Sequence, residues 1–265
     1  MAVDAIPAGY ATAEAEDDES PRLLPKLLPL EAPGAQPAQR ITFIVPVHNE
    51  ERTIGQVLDL VSGLELDKQV IVVDDGSTDG TSSVLAVWER NNDVTVVRQP
   101  NRGKGAAIRA AIPYVEGDIV VIQDADMEYD PADVPMLVDP IMRGVADVVF
   151  GSRLTGGRPQ RAHMFWHKVG NQFLSLLTSL LFNTTLSDME SGYKAMRADV
   201  LRSLDLRQND FSIEPEITGK VCKRKLRIYE IPISYYGRTY DEGKQITWRD
   251  GLSAVRTLLA VRLAP

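Results

Sequence analysis

The sequence predicts an α/β fold built on a mostly parallel sheet with helices on both faces. Three observations predict it. From Arg40 onward, β-branched runs alternate with helical periodicities, and the runs are continuously apolar. Acids and glycines gather where those runs end. Strands separated by helices of about ten to fifteen residues pair in parallel through right-handed crossovers. Continuous rather than alternating apolar runs mean that both sheet faces are covered.

The elements follow in order. ITFIVPV (41–47) is a strand ended near a proline, and ERTIGQVLDLVSGL (51–64) has the period of a helix. QVIVVDD (69–75) is a second strand; GSTDGTSSVLAVWER (76–90) is a helix for which Ser77, Thr78 and Asp79 are ready N-caps. VTVVRQP (94–100), DIVVIQDAD (118–126) and ADVVFGSR (146–153) are further strands, separated by the helices GKGAAIRAAIPYV (103–115) and PADVPMLVDPIMRG (131–144). Past residue 155 the alternation fades. Helices are expected over 167–185, 198–206 and 214–225, a returning strand over 227–236, a polar loop over 237–251, and a closing amphipathic helix. Residues 1–39, rich in Ala, Pro and acids, cannot pack a core and are expected to form a disordered arm. One folded α/β domain is expected over 40–250 and the terminal helix over 251–265.

Composition excludes some functions. A net charge of −8 argues against a nucleic-acid binder, which needs a basic footprint, but not against a phosphorylated small molecule. The single cysteine, Cys222, rules out an intrachain disulfide framework and suits a reducing cytoplasm. The N-terminus lacks a signal peptide's basic start and apolar core, and FLSLLTSLLF (173–182) is about half the roughly 20 residues that a membrane span requires. A cytoplasmic protein is expected, with peripheral contact at the inner face of a membrane left open. The segments 173–182 and 252–263, with Arg256 and Arg262, are where such contact would fall. The sequence also leaves an oligomer open.

Ligands in parallel sheets sit beyond the carboxyl ends of the strands. Those ends read PVHNE, DDGSTDG, QDADME and GSR. Asp124 and Asp126, spaced i, i+2 after an apolar strand, can converge on one point, and two hard oxygen ligands suit Mg²⁺ or Mn²⁺ shared with substrate phosphates. No His/Cys cluster accompanies them, which argues against zinc. The bland alternative is an acidic turn capping the next helix, and for Asp130 that alternative is preferred. No G-x-G-x-x-G follows the first strand, which argues against a dinucleotide-binding oxidoreductase.

IVPVHNE, VIVVDDGSTDGT, NRGKGAAIRA, IVVIQDADMEYDP and VVFGSR, in this order, resemble the family 2 glycosyltransferases with a GT-A fold. With the later SDMESGYKAMR and the basic loop GRTYDEGK, the chain most resembles the dolichol- or polyprenyl-phosphate hexose synthases over residues 40 to 250. The resemblance implies a fold, a donor and site residues. Pro46, His48 and Glu50 match the first nucleotide-contacting segment, where many members have Tyr or Phe in place of His48. Asp75 matches the acid that contacts the nucleoside. Asp124, Ala125 and Asp126 match the segment holding the donor diphosphate through a divalent cation, and Glu128 stands where many relatives have Gln. Arg153 matches an arginine that meets phosphate; Arg238 and Lys244 match the late loop that folds over the donor. Ser212 departs from the pattern, since some relatives place a lysine there. On the acceptor side, Asp188 or Glu190 are the general-base candidates should the acceptor be a hydroxyl, and His167 lies in a segment that could approach an acceptor phosphate.

The expected function is inverting, metal-dependent transfer of a hexose from a nucleoside-diphosphate sugar (GDP-mannose or UDP-glucose) to a polyprenyl or dolichyl phosphate. The alternatives are the same donor chemistry onto a saccharide or small-molecule hydroxyl, and a non-catalytic sugar-nucleotide-binding protein.

Overall fold

Valines and isoleucines with no tolerance for water set the centre of the molecule. The computed structural model describes residues 39–91, 94–162, 164–239 and 248–264. It holds seven strands: β1 (Ile41–Val47), β2 (Lys68–Asp75), β3 (Thr95–Gln99), β4 (Ile119–Ile122), β5 (Val148–Ser152), β6 (Lys194–Arg197) and β7 (Ile228–Pro232). They form one sheet in the order β3-β2-β1-β4-β6-β5-β7. Every residue of β4 and β5 is buried. All pairings are parallel except the two made by β6, which runs antiparallel between β4 and β5.

The helices are α1 (Ile54–Ser62), α2 (Thr81–Arg90), α3 (Lys104–Ala111), α4 (Val134–Met142), α5 (Phe165–Phe182), α6 (Ala198–Ser203), α7 (Ile213–Lys223) and α8 (Trp248–Leu263). Successive strand residues point to opposite faces, so one sheet buries two cores. Phe43, Val45, Val72 and Val121 pack with Ile54 and Leu58 of α1 and Leu137 of α4. Ile44, Ile71, Val120 and Phe150 pack on the other face with Ile108 of α3, Leu201 of α6 and Ile217 of α7. A smaller cluster, Leu174, Met189, Ala254 and Leu258, joins α5 to α8. Roughly 25 cal/mol per Å² of buried apolar surface drives this layering.

The expected mostly parallel α/β sheet is present, with one addition. β6, KAMR, was not expected: four residues beginning with a lysine carry no strand period of their own. Its Lys194 is fully buried, which only a tertiary partner makes tolerable. The helix expected from residue 167 starts at Phe165, and that expected over 198–206 ends at Ser203. The arm expected at the N-terminus and Lys244 lie outside the described residues. No described helix is long and apolar enough to cross a membrane.

Candidate active site

The C-terminal ends of β1, β2, β4 and β5 and the start of β6 meet at one cavity, which is lined among others by Pro46, His48, Glu50, Asp75, Asp124, Ala125, Asp126, Glu128, Arg153, Glu190 and Arg238. An antiparallel strand starts where its neighbours end, so β6 brings the segment before it to the same edge.

On the β1–β2 side the polar groups are tied down by the chain itself. Asp75 accepts from Gln99 Nε2 (2.6 Å) and the Arg102 amide (2.9 Å) on Oδ1, and from the Gly103 amide (2.7 Å) on Oδ2. Its carboxylate thereby fixes the loop that leads into α3. Gly103 sits at φ 96, in the left-handed region, where glycine carries no Cβ penalty. His48 Nδ1 is 2.9 Å from the Asp75 carbonyl and Nε2 is 3.0 Å from Asn101 Nδ2, a pairing that fits the neutral ring with its proton on Nδ1. Asp74 accepts from Ser77 and Ser82; burial opposes its ionisation, but those hydrogen bonds hold it below the usual carboxylate range.

At the end of β4 the charges concentrate. Asp124 meets Lys104 Nζ at 2.7 Å, and Lys104 also meets Glu214 at 3.1 Å. Glu214 in turn meets fully buried Lys194 at 2.5 Å. Burial would strip Lys104 of its proton, but Asp124 and Glu214 outweigh it and hold the ammonium above its ordinary range. Gly192 is required here: a Cβ on it would lie 2.6 Å from Asp124 Oδ2 and 2.8 Å from Lys104 Nζ.

Asp126 lies on the other side of Ala125. Met127 follows at φ 60, a left-handed turn costing roughly 1–2 kcal/mol in a residue with a Cβ, and the Glu128 amide then donates to Asp126 Oδ1 at 3.0 Å. Arg238 Nη2 reaches both Asp126 Oδ2 (3.0 Å) and Glu50 Oε1 (2.9 Å), and its backbone N–H donates to Glu128 Oε1 (2.7 Å). Glu128 also accepts from the Tyr235 hydroxyl (2.9 Å). Two carboxylates therefore share one guanidinium, and a third, Glu128, lies 3.9 Å from its Nε. Burial, reinforced by the charges of Asp124 and Glu128, pushes Asp126 up to about 7 despite Arg238.

Past β5, Arg153 is held by Asp188 through its backbone N–H, Nε and Nη2, at 2.7 to 2.8 Å, and lies 5.2 Å from the Tyr235 ring centroid. Asn171 of α5 donates to the same Asp188 at 2.6 Å. This corrects one expectation. Asp188 is fully buried with both oxygens engaged, and Arg153 pulls its carboxyl below the ordinary range against burial; it does not line the cavity and is unsuited to take a proton. It positions Arg153. Glu190 does line the cavity, and burial pushes it up to about 7 against the pull of Lys194. His167 sits in the first turn of α5, outside the cavity wall. Asp130 caps the short turn that precedes α4, accepting from the Ala132 amide at 2.9 Å, as preferred for it above. Ser212 is buried, bonded to Ser253 at 2.8 Å, and does not line the cavity.

Lys104, Glu214, Lys194, Tyr129 and Gly192 were missed as site residues. The signal for Lys104 was present: a lysine between glycines at a helix start opposes the helix dipole and needs a carboxylate partner.

Among the described residues, no group of three or more His, Cys, Asp or Glu is placed to hold a metal ion unaided. Asp124 and Asp126 still fit Mg²⁺ or Mn²⁺, which take one or two protein carboxylates and complete their shell with phosphate oxygens and water. Burial, and after it the crowding of carboxylates, raises Asp126, and that crowding is the surplus charge a divalent cation would neutralise.

The family model described as glycosyl transferase family 2 matches residues 42–205, more than half of the chain. The chain belongs to glycosyl transferase family 2. It is 30% identical over 226 residues to the low-salt glycan biosynthesis hexosyltransferase Agl6 of Haloferax volcanii, covering 84% of this chain but only 54% of that protein. The chain thus spans about half the length of that relative. It is 29% identical over 242 residues to UDP-N-acetylglucosamine–dolichyl-phosphate N-acetylglucosaminyltransferase of Methanococcus voltae, covering 84% of this chain and 96% of that one. The crystal structure of glucosyl-3-phosphoglycerate synthase from Mycobacterium tuberculosis, in complex with Mn²⁺, UDP and phosphoglyceric acid, superposes with a TM-score of 0.69 at 24% identity. That match covers 89% of this chain and 82% of the other, and it shows the GT-A fold in this family 2 glycosyltransferase.

Proposed function

We propose that this glycosyltransferase moves a hexose, with inversion, from a nucleoside-diphosphate sugar to a polyprenyl or dolichyl phosphate, with Mg²⁺ or Mn²⁺ as cofactor. GDP-mannose and UDP-glucose are the donors to try first. The observation that carries the reading is the arrangement of Asp124 and Asp126 on one cavity with Lys104, Arg153 and Arg238. The Methanococcus voltae relative, whose name gives dolichyl phosphate as its acceptor, supports the acceptor class.

In this reading Pro46, His48, Glu50 and Asp75 form the nucleoside side. Asp124 and Asp126 would hold the divalent ion, which when bound supplies charge neutralisation at the diphosphate. Lys104, Arg153 and Arg238 add fixed cations where negative charge grows on the leaving group. Glu128 orients Arg238 rather than meeting the donor. A phosphate acceptor is already ionised and asks for no general base.

α5 gives the acceptor side a surface suited to lipid. Trp166, Phe173, Leu176 and Leu180 are each more than half exposed, while Asn171 on the same helix bonds the Asp188 that holds Arg153. Peripheral contact with a bilayer follows from that stripe. A hydroxyl acceptor is the second reading, favoured by one observation: a carboxyl near neutrality, Glu190, is what such an acceptor requires.

Nucleoside diphosphates tested by thermal shift, with and without Mn²⁺, decide the donor. GDP or UDP stabilises the protein in a metal-dependent manner, and Asp126→Ala removes that dependence; if neither nucleotide binds, the reading fails. Extraction of labelled product into organic solvent decides the acceptor, because only a lipid-linked sugar partitions there.

A further inference from the structure

Three residues of the cavity wall carry an enclosed polar atom without a hydrogen-bond partner, and two of these atoms, Glu214 Oε1 and Arg238 Nε, still face an ion-pair partner. Glu190 Oε1 is enclosed by protein and has no hydrogen-bond partner, although the residue lines the cavity. The charged groups facing it are Lys194, Glu214, Arg153 and Asp188. Both cations already have a carboxylate: Lys194 pairs with Glu214 and Arg153 with Asp188. An enclosed polar atom left unpaired costs about 1–3 kcal/mol. An unpartnered polar atom in a residue that lines a binding cavity points to a polar group of a ligand.

Topology decides which ligand. His48 and Asp75 belong to β1 and β2, Asp124 and Asp126 follow β4, and Glu190 precedes β6 on the far side of β4. A nucleophile that displaces the diphosphate with inversion enters from the face opposite the leaving group, hence from the β6–β5 side.

Resting on the transfer reaction above, we propose that Glu190 contacts the acceptor phosphate, its Oε1 taking up a hydrogen bond with a phosphate oxygen as that group reaches the anomeric carbon. Two anions make such a bond only by sharing one proton. Either the carboxyl donates to a doubly ionised phosphate, or the carboxylate accepts from a singly protonated one. Burial lifts Glu190 to about 7, close to the second ionisation of a phosphate monoester near 6, so both arrangements are reached around neutrality. In the step itself a phosphate oxygen bonds to the anomeric carbon while the bond from that carbon to the diphosphate oxygen breaks. The electron pair leaves with the nucleoside diphosphate, and the shared proton is not consumed.

The test uses the full chain, the nucleotide sugar found by the thermal-shift screen, and a short-chain polyprenyl phosphate. Acceptor KM and kcat are measured between about pH 6 and 9 for wild type, Glu190→Gln and Glu190→Ala. Loss of a hydrogen bond to a charged group raises the acceptor KM of the Ala variant about tenfold or more, with a much smaller effect on kcat. Wild-type acceptor KM climbs as pH rises above about 7. The Gln variant, whose amide donates but never ionises, has a smaller rise and loses that pH dependence. A merely structural residue would not move the pH profile.

A fall in kcat of about 10²- to 10⁴-fold at unchanged acceptor KM overturns the proposal and makes Glu190 a general base. Wild-type KM and pH dependence in both variants overturn it as well. Should the Ala variant not fold, the Gln variant, equal in shape, gives the same comparison, and its nucleotide-dependent thermal shift confirms an intact donor side. A wild-type protein that binds nucleotide yet glycosylates no phosphate ends the acceptor reading, and this inference with it. A wild type that does so, with indifferent variants, ends this inference alone.

Discussion

The two halves of the cavity treat the same functional groups differently. On the β1–β2 side, Asp74 and Asp75 are saturated by amides, hydroxyls and an amide side chain from their own loops. On the β4–β6 side, burial and then neighbouring carboxylates lift Asp126 and Glu190 to about 7 against the pull of Arg238 and Lys194. The difference teaches that a carboxyl in this site has no fixed charge. Hydrogen-bond donors that outweigh burial keep Asp74 ionised, and burial that outweighs donors and cations brings Asp126 and Glu190 to the edge of neutrality. The first half is a rigid frame; the second has charge left to exchange with a ligand.

Asp188, behind the second half of the cavity, is the sharpest way to break that contrast, because both of its oxygens are engaged as those of the first half are. Asp188→Ala leaves the Arg153 guanidinium buried without its partner and costs about 3–5 kcal/mol, measured by denaturant unfolding. Transfer falls with it, since Arg153 loses its direction.

Glu190 gives the next largest effect, read as pH dependence. Its folded-state pKa of about 7 lies above the ordinary 4.5, so between those values the folded protein binds the extra proton. Stability from this group is complete below about 4.5 and is lost as pH rises to about 7. One pKa unit is about 1.4 kcal/mol, so the loss exceeds that of a helix cap. Thermal midpoints recorded across this range fall less steeply in Glu190→Gln than in wild type.

Gly192→Ala tests the junction of the halves. Its methyl must displace Asp124 or Lys104, an overpacking cost of about 1–3 kcal/mol. Nucleotide-dependent stabilisation with Mn²⁺ weakens more than folding stability does. The smallest effect belongs to Asp130→Ala, which removes a cap worth about 1 kcal/mol and leaves transfer as it was. Asp130 is four residues from Asp126, so a large loss of activity there would mean that the segment acts as one unit.

Legibility in the sequence followed the same division. The ends of β1, β2 and β4 could be read because a continuous apolar run announces where a buried strand stops. Asp124, Asp126 and Asp75 stand at those ends and line the cavity. Lys104 and Glu214 meet only because α3 and α7 pack on the same sheet face, a contact without local periodicity. β6 was illegible because the burial of Lys194 depends on Glu214, twenty residues further on. Asp188 was misjudged for a similar reason: an acid between a serine and a methionine gives no sign that Arg153 and Asn171 will enclose it.

The reversed strand β6 has one more consequence. The chain leaves the reaction edge after β5 and comes back to that edge to begin β6, so everything in between, α5 included, is a closed excursion pinned at both feet. Its length and outer surface are decoupled from the register of the sheet. Such a scaffold accepts a longer, shorter or grafted excursion while the ends of β1 and β2 keep their geometry.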